Sequence, residues 1–147
     1  MTTTSDKAKK RILFLCTHNS ARSQMAEGLL RALGDSAYDV FSAGTIATSV
    51  RAEAIAVMRE IGIDISGQES KTLDRYLSEP FDLVITVCDS ANEACPLFPN
   101  AKQRWHWSID DPSGVQGTEE ERLTAFRRAR DELRRKIESE ILTDSKL

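Results

Sequence analysis

Hydrophobic residues in this chain fall into short apolar runs that alternate with stretches of helical spacing. The runs "RILFLC" (11 to 16) and "FDLVITVC" (81 to 88) are nearly continuous, which is typical of parallel strands covered on both faces. Two further strands are predicted in "YDVFSAGT" (38 to 45) and in "QRWHWSI" (103 to 109), which is rich in aromatic residues.

Three helices and one shorter helical segment are predicted between and after these strands. Apolar residues recur at helical spacing over 20 to 33 and 50 to 62, and "KTLDRYL" (71 to 77) is long enough for one or two turns. Thr118 and Glu121 form a capping box at the start of the last helix. A mostly apolar stripe then follows that helix: Leu123, Phe126, Arg130, Leu133, Ile137 and Ile141.

This order of elements predicts an α/β fold, with a parallel sheet, helices on both faces and right-handed crossovers. The chain has 147 residues, of which 40% are hydrophobic, so it can bury one proper core but has no room for a second domain. We therefore expect a single domain over residues 10 to 147, preceded by a disordered tail over residues 1 to 9.

Charge and hydropathy exclude several classes of protein. The net charge is -3, and the arginines of "RRARDELRRKIESE" (127 to 140) alternate with acidic residues, so neither nucleic acid nor an anionic membrane is an expected partner. No apolar run approaches the length of a membrane span, and the polar N-terminus lacks a secretory signal. We expect a cytoplasmic monomer, in which the three cysteines are buried packing or reactive thiols rather than a disulfide framework.

Cys16 ends the first predicted strand, at the edge where parallel sheets bind their ligands. With Arg22 it forms the pattern C-x5-R, "CTHNSAR". A loop of this length can turn backbone N–H groups inward as an anion site at a helix N-terminus, and an arginine can grip two oxygens of a tetrahedral oxyanion. The same positive field favours the thiolate, which makes Cys16 a candidate nucleophile. The alternative is a small buried core residue.

The residues after Cys16 are the expected oxyanion-binding positions. Ser20 and Ser23 can donate hydrogen bonds to a thiolate, and Asn19 tolerates the left-handed backbone that such loops need. Helix capping by Ser20 is an equally good reading of that residue. The full set is Thr17, His18, Asn19, Ser20, Ala21, Arg22 and Ser23.

Metal binding and a resident cofactor are not expected. Cys88 and Cys95 are separated by six residues, which is not a usual zinc spacing, and His18 and His106 are not placed like a ligand pair.

The segment "CTHNSARS" after "ILFL", together with "DDP" at 110 to 112, resembles the low-molecular-weight protein tyrosine phosphatase superfamily, in particular its thioredoxin-coupled arsenate reductases. The resemblance extends from about Lys10 to Ile141. It implies the strand order 2-1-3-4, which would bring Cys88 to the same sheet edge as the anion loop.

The resemblance also implies a relay of three thiols that reduces arsenate to arsenite. Cys16 attacks arsenate, Cys88 then attacks Cys16, and arsenite leaves as a Cys16–Cys88 disulfide forms. Cys95 attacks Cys88, and thioredoxin reduces the resulting Cys88–Cys95 disulfide, although glutaredoxin or a small thiol could replace it. Because a disulfide requires α carbons about 4.4 to 6.8 Å apart, we expect the loop from 88 to 95 to move.

Asp111 corresponds to the general acid of the family's Asp-Pro loop, and would protonate the departing oxygen. On residue type alone Asp110 could serve as well, and either could simply begin a turn. Pro112 is followed by Ser113 and Gly114 instead of the phosphatases' tyrosine pair, which makes phosphotyrosine specificity doubtful.

Some members of the family hold a potassium ion close to the anion loop. At one of the ligand positions Lys71 replaces the expected acidic residue, so we predict that its ammonium group substitutes for the ion and that potassium is not required. Glu27 could still organise the loop through Asn19, or be an ordinary surface glutamate. The corresponding positions are Asn19, Glu27, Ser42, Glu69 and Lys71.

Two other functions stay open. One is a phosphatase of the same fold, in which Cys88 and Cys95 protect Cys16 by reversible oxidation. The other is a non-catalytic module that binds oxyanions or senses redox state.

Overall fold

A single parallel sheet forms the centre of the protein. The computed structural model describes residues 9–89 and 97–143, so the predicted N-terminal tail lies almost wholly outside the described residues. The strands pair in the order β2-β1-β3-β4, which confirms the predicted sheet and strand order. Their bounds are Lys10–Cys16 (β1), Tyr38–Gly44 (β2), Phe81–Thr86 (β3) and Ala101–His106 (β4).

Three α-helices pack through one apolar cluster on one face of this sheet. The last of them continues into a π-helical turn at Ile137–Ile141, and its capping box of Thr118 and Glu121 is present as predicted. The first helix begins two residues later than predicted, because Cys16 to Ala21 form the candidate anion loop. The helices are Arg22–Leu33 (α1), Ala52–Arg59 (α2) and Glu119–Lys136 (α3).

The second face of the sheet carries a thinner cover. In the described part of the chain it consists of the 3-10 helix Leu73–Tyr76 and the segment around Phe98, which enclose a smaller apolar cluster. Both faces therefore carry helical cover, as predicted. On this second face, however, the cover is a single 3-10 turn and not an α-helix. β1 lies between the two clusters, with Ile12 to Leu15 fully buried, which explains its continuous apolar run.

One arginine of the predicted apolar stripe joins α3 to the end of α2. Arg130 is only 8% exposed, and its Nη1 donates to the Val57 carbonyl at 2.7 Å and to Glu60 Oε1 at 2.9 Å. Arg127 and Arg130 together hold the pKa of Glu60 below its usual value, against a weaker opposing effect of burial. A long side chain with a charged tip can thus occupy a position that helical spacing assigns to the core.

The carboxyl ends of all four strands meet at one edge of the sheet. Cys16 pairs with Gly44 at the end of β2, and the backbone N–H of Val87 donates to the Leu15 carbonyl at 2.8 Å. The residues that follow β1 and β3 are therefore neighbours. None of the described helices is both long and apolar enough to cross a bilayer.

Candidate active site

The loop between β1 and α1 folds back on the sulfur of Cys16. Asn19 has a left-handed backbone, with φ of 50°, as its residue type allows. This conformation directs its N–H to Cys16 Sγ at 3.3 Å. Ser23, in the first turn of α1, has its hydroxyl 2.8 Å from the same sulfur. Three predicted residues, Cys16, Asn19 and Ser23, are thus brought together.

Gly44 allows the loop to lie directly against the end of β2. A Cβ at this position would lie 2.6 Å from the Thr17 carbonyl oxygen and 2.9 Å from both the Asn19 nitrogen and the Cys16 carbonyl oxygen. No side chain can be accommodated at such distances, so the glycine is required for the close approach.

Polar groups surround the sulfur of Cys16 and are placed to donate to it. Cys16 is a free thiol and is only 2% exposed. Ser23 Oγ accepts a hydrogen bond from Asn19 Nδ2 at 2.8 Å, so the hydroxyl proton of Ser23 is available to the sulfur. The Asn19 N–H and the Ser23 hydroxyl can therefore both donate to the same sulfur.

The N-terminus of α1 faces this loop without a side-chain cap. Its N-cap residue is Ala21, and no side chain of the described residues accepts a capping hydrogen bond there. The alternative reading of Ser20 as the helix cap is therefore wrong. Because the first N–H groups of a helix have no intrahelical partner, this end of α1 can bind an anion.

Arg22 is fixed beside the loop by contacts with the segment after β4. It is 3% exposed, its Nη1 donates to the Ile109 carbonyl at 3.0 Å, and its Nη2 lies 3.7 Å from Asp111 Oδ2. Asp111 Oδ1 accepts a hydrogen bond from the Ser113 N–H at 2.9 Å, which holds the carboxylate in place. Asp110, the competing aspartate, is exposed.

A cleft of about 380 Å³ opens over the loop. Its lining includes no Phe, Tyr or Trp side chain, so the imidazole of His18 is the only ring among the described lining residues. Of the predicted oxyanion-binding residues, His18 lies in the lining of this cleft, whereas Ala21 is buried. The lining consists of His18, Ser20, Thr48, Ser49, Arg51, Asp111, Ser113 and Gly114.

Behind the loop, a buried lysine lies among the positions that the resemblance assigned to a potassium ion. Lys71 Nζ donates to the Glu69 carbonyl and lies 3.9 Å from Glu27 Oε1. Glu27 accepts from Ser42 Oγ at 2.5 Å, and Ser42 Oγ accepts from Asn19 Nδ2 at 2.9 Å. Burial lowers the pKa of Lys71, while Glu27 and Glu69 oppose that shift. A potassium ion here would compete with the ammonium group for the same oxygens, so this set does not fit the ion.

If the activity is the one that the resemblance implies, we expect arsenite formation to be equally fast in potassium and sodium salts at equal ionic strength. Lys71→Asp restores an acidic side chain, and potassium is expected to stimulate this variant severalfold. Initial rates measured while KCl replaces NaCl at constant ionic strength give both results. Stimulation of the unaltered protein by potassium would contradict the prediction.

Cys88 lies two residues after the end of β3 and is fully buried. It is disulfide-bonded, in contrast to the free Cys16. Cys95 and most of the loop predicted to move fall in residues 90–96, outside the described residues. In the described ranges 9–89 and 97–143, no group of three or more His, Cys, Asp or Glu side chains is arranged to hold a metal ion.

Two glutamines that sequence reasoning missed complete the site. Gln24 is fully buried and donates to Asn19, and Gln68 donates to Gln24. A glutamine in a helix is normally exposed, and the only signal here is its place in the first turn after the C-x5-R pattern.

Comparison with known proteins matches this geometry to a family. Residues 11–143, nearly the whole chain, match the family model described as low molecular weight phosphotyrosine protein phosphatase. The chain belongs to this family. The matched residues include the C-x5-R loop, the buried Arg22 and the Asp111-Pro112 turn, which meet at one end of the parallel sheet.

Similar members of the low molecular weight phosphatase family are arsenate reductases, as the sequence motifs predicted. An arsenate reductase of Halalkalibacterium halodurans is 51% identical over 132 residues, which cover 89% of this chain and 94% of that protein. A solved arsenate reductase in its phosphate-binding state superposes with a TM-score of 0.79 at 34% identity, covering 92% and 99% of the two chains. A thioredoxin-dependent arsenate reductase of Corynebacterium glutamicum has a TM-score of 0.61 at 26% identity, covering 92% and 66%.

Proposed function

We propose that this protein reduces arsenate to arsenite through a relay of Cys16, Cys88 and Cys95, and that thioredoxin restores the reduced protein. The observation that carries the proposal is a free thiol inside an oxyanion loop, with an oxidised cysteine just beyond the adjacent strand end.

Arsenate binds first, as a tetrahedral dianion in the loop from Thr17 to Ser23. Backbone N–H groups and the N-terminus of α1 surround its oxygens, and the guanidinium of Arg22 binds two of them. The hydrogen bond from Arg22 to Ile109 supports this role, because it orients the guanidinium before substrate arrives. The solved relative in its phosphate-binding state supports an oxyanion of this shape as ligand.

The thiolate of Cys16 then attacks arsenic. A sulfur–arsenic bond forms, one arsenic–oxygen bond breaks, and Asp111 donates the proton with which that oxygen leaves as water. Arsenic keeps its oxidation state in this adduct. The position of Asp111 beside Arg22, whereas Asp110 is exposed, supports Asp111 over Asp110 as the group that reaches the departing oxygen.

Reduction occurs when the thiolate of Cys88 attacks the sulfur of Cys16. The sulfur–sulfur bond forms as the sulfur–arsenic bond breaks, and its electron pair leaves with arsenic as arsenite. Two thiols have now been oxidised and arsenic has gained two electrons. The pairing of β1 with β3 supports this step, because Cys16 ends one strand and Cys88 follows the end of the neighbouring one.

Cys95 next attacks Cys88, which frees Cys16 and leaves a Cys88–Cys95 disulfide for the dithiol of thioredoxin to reduce. A disulfide-bonded Cys88 together with a free Cys16 is the state expected at this stage. The thioredoxin dependence of the Corynebacterium glutamicum relative supports the same donor here. A reductant of this kind implies a cytoplasmic location.

The decisive experiment separates the first turnover from regeneration. Fully reduced protein, mixed with arsenate and no reductant, is expected to yield one arsenite per chain and to lose two titratable thiols. Continuous turnover should then require thioredoxin, thioredoxin reductase and NADPH. Turnover that is supported by glutaredoxin with glutathione but not by thioredoxin would overturn the donor assignment, and no arsenite in the first turnover would overturn the reaction.

A further inference from the structure

The side chain of Gln24 donates hydrogen bonds to three acceptors outside α1, two of which lie in the candidate anion loop. Its side chain lies in the first turn of α1 and is fully buried. Nε2 donates to Asn19 Oδ1 at 2.9 Å, to the Asn19 carbonyl at 3.0 Å and to the Glu69 carbonyl at 3.0 Å. Two of these three acceptors belong to one residue, so the amide grips both the backbone and the side chain of Asn19.

Gln68 fixes which way this amide points. Gln68 Nε2 donates to Gln24 Oε1 at 2.8 Å and to the Gln24 carbonyl at 3.1 Å. Because the oxygen of the Gln24 amide is engaged by a donor on one side, its nitrogen is directed to Asn19 on the other.

Asn19 is the residue whose position matters for the sulfur. It has φ of 50°, an uncommon conformation for a residue other than glycine, and needs surrounding contacts to hold it. Its N–H contacts Cys16 Sγ, and its Nδ2 orients the Ser23 hydroxyl that contacts the same sulfur. A shift of Asn19 would therefore move both hydrogen-bond donors that contact the Cys16 sulfur.

Other contacts hold Asn19 only in part. Lys71 N donates to Asn19 Oδ1 at 2.8 Å, and Ser42 Oγ accepts from Nδ2. Within the described residues, the Asn19 carbonyl accepts a side-chain hydrogen bond from Gln24, and this bond acts directly on the left-handed residue's own backbone.

We infer that Gln24 is a positioning residue, which clamps Asn19 in its left-handed conformation and so keeps the thiolate of Cys16 stabilised and the anion loop open for its oxyanion. The inference rests on the proposed role of Cys16 as the nucleophile, but not on the later steps of the relay.

The test uses the full chain carrying Cys88→Ser and Cys95→Ser, so that Cys16 is the sole thiol. In this background Gln24→Met keeps the side-chain length but removes the donors. Alkylation of Cys16 by iodoacetamide at pH 7 is expected to slow about fivefold, since the loss of a buried hydrogen bond changes such equilibria by roughly that factor. Protection of Cys16 by inorganic phosphate should weaken by a similar factor.

Two controls distinguish positioning from general stability. Gln68→Met leaves the donors to Asn19 in place and is expected to slow alkylation less than Gln24→Met. Ile137→Val removes one methylene from the π-helical turn that follows α3, where the apolar side chain takes no part in the hydrogen bonds of Asn19 and Gln24, and should lower the melting temperature without changing alkylation. Gln24→Glu, of equal size, serves as a second variant if Gln24→Met does not fold.

The inference is overturned if the Gln24 variants fold, as judged by circular dichroism, and alkylate and bind phosphate like the parent. Neither readout requires arsenate turnover. A failure of this inference therefore leaves the relay intact, and failure of arsenite formation in the unaltered protein leaves this measurement interpretable.

Discussion

Cys88→Ser is expected to abolish arsenite formation while cleavage of an aryl phosphate continues. Both reactions begin in the same loop with attack by Cys16, but they diverge at the second step. A phosphocysteine is released by water with no change of oxidation state, whereas arsenite leaves only when a second sulfur takes the place of arsenic on Cys16. A serine hydroxyl cannot form the disulfide that supplies the electrons.

The measurement compares Cys88→Ser with Cys16→Ser under identical conditions. Arsenite formation should fall to background in both variants, and hydrolysis of p-nitrophenyl phosphate should be lost only in Cys16→Ser. If Cys88→Ser continued to produce arsenite, the relay would be wrong. If the unaltered protein cleaved the ester but produced no arsenite, the phosphatase reading would replace it, and if it bound oxyanions without any turnover, a binding module would remain.

Arg22→Lys is expected to lower kcat/KM for arsenate by about a hundredfold or more. A guanidinium can present two parallel N–H groups to two oxygens, and here Nη1 also donates to the Ile109 carbonyl while Nη2 lies 3.7 Å from Asp111 Oδ2. Lysine keeps the charge but lacks the two parallel N–H groups, and its ammonium cannot bond to the Ile109 carbonyl and the oxyanion in the same geometry. Loss of a single preorganised donor commonly costs two to three orders of magnitude, or about 3 kcal/mol.

Arg130→Lys is a matched control for this substitution, since Arg130 is also an almost buried arginine that bonds to a carbonyl and lies near a carboxylate. It should lower stability by a similar amount and leave kcat/KM close to that of the unaltered protein. Thermal unfolding and steady-state kinetics on both variants check this. Equal kinetic losses in the two would mean that Arg22 acts through stability alone.

The parts of the molecule that sequence predicts well are those in which one interaction dominates. The apolar run of β1 predicts a strand buried on both faces because hydrophobic burial on the two sides leaves few other solutions. The capping box at Thr118 and Glu121 is local, and it forms in the structure as expected. Asn19 adopts the left-handed backbone that its residue type permits.

Predictions were weaker where distant groups compete. Helical spacing extended the first helix back to Ser20, but the residues before Arg22 instead turn their backbone around the Cys16 sulfur. The fourth strand is Ala101–His106 instead of 103 to 109, and beyond its end the carbonyl of Ile109 accepts a hydrogen bond from Arg22. Gln24 was missed altogether, since its partners lie on Asn19 and on segments more than forty positions away.

The close passage of the loop over Gly44 also limits how the protein can be redesigned. Selection for a larger or differently charged substrate would normally begin with randomised residues in the loop itself. Here the loop packs directly on the backbone of β2 at Gly44. Because glycine has no side chain that could adjust, every loop variant must fit against that fixed backbone. New specificity would be more accessible at the rim formed by Thr48, Ser49 and Arg51, where the walls are side chains.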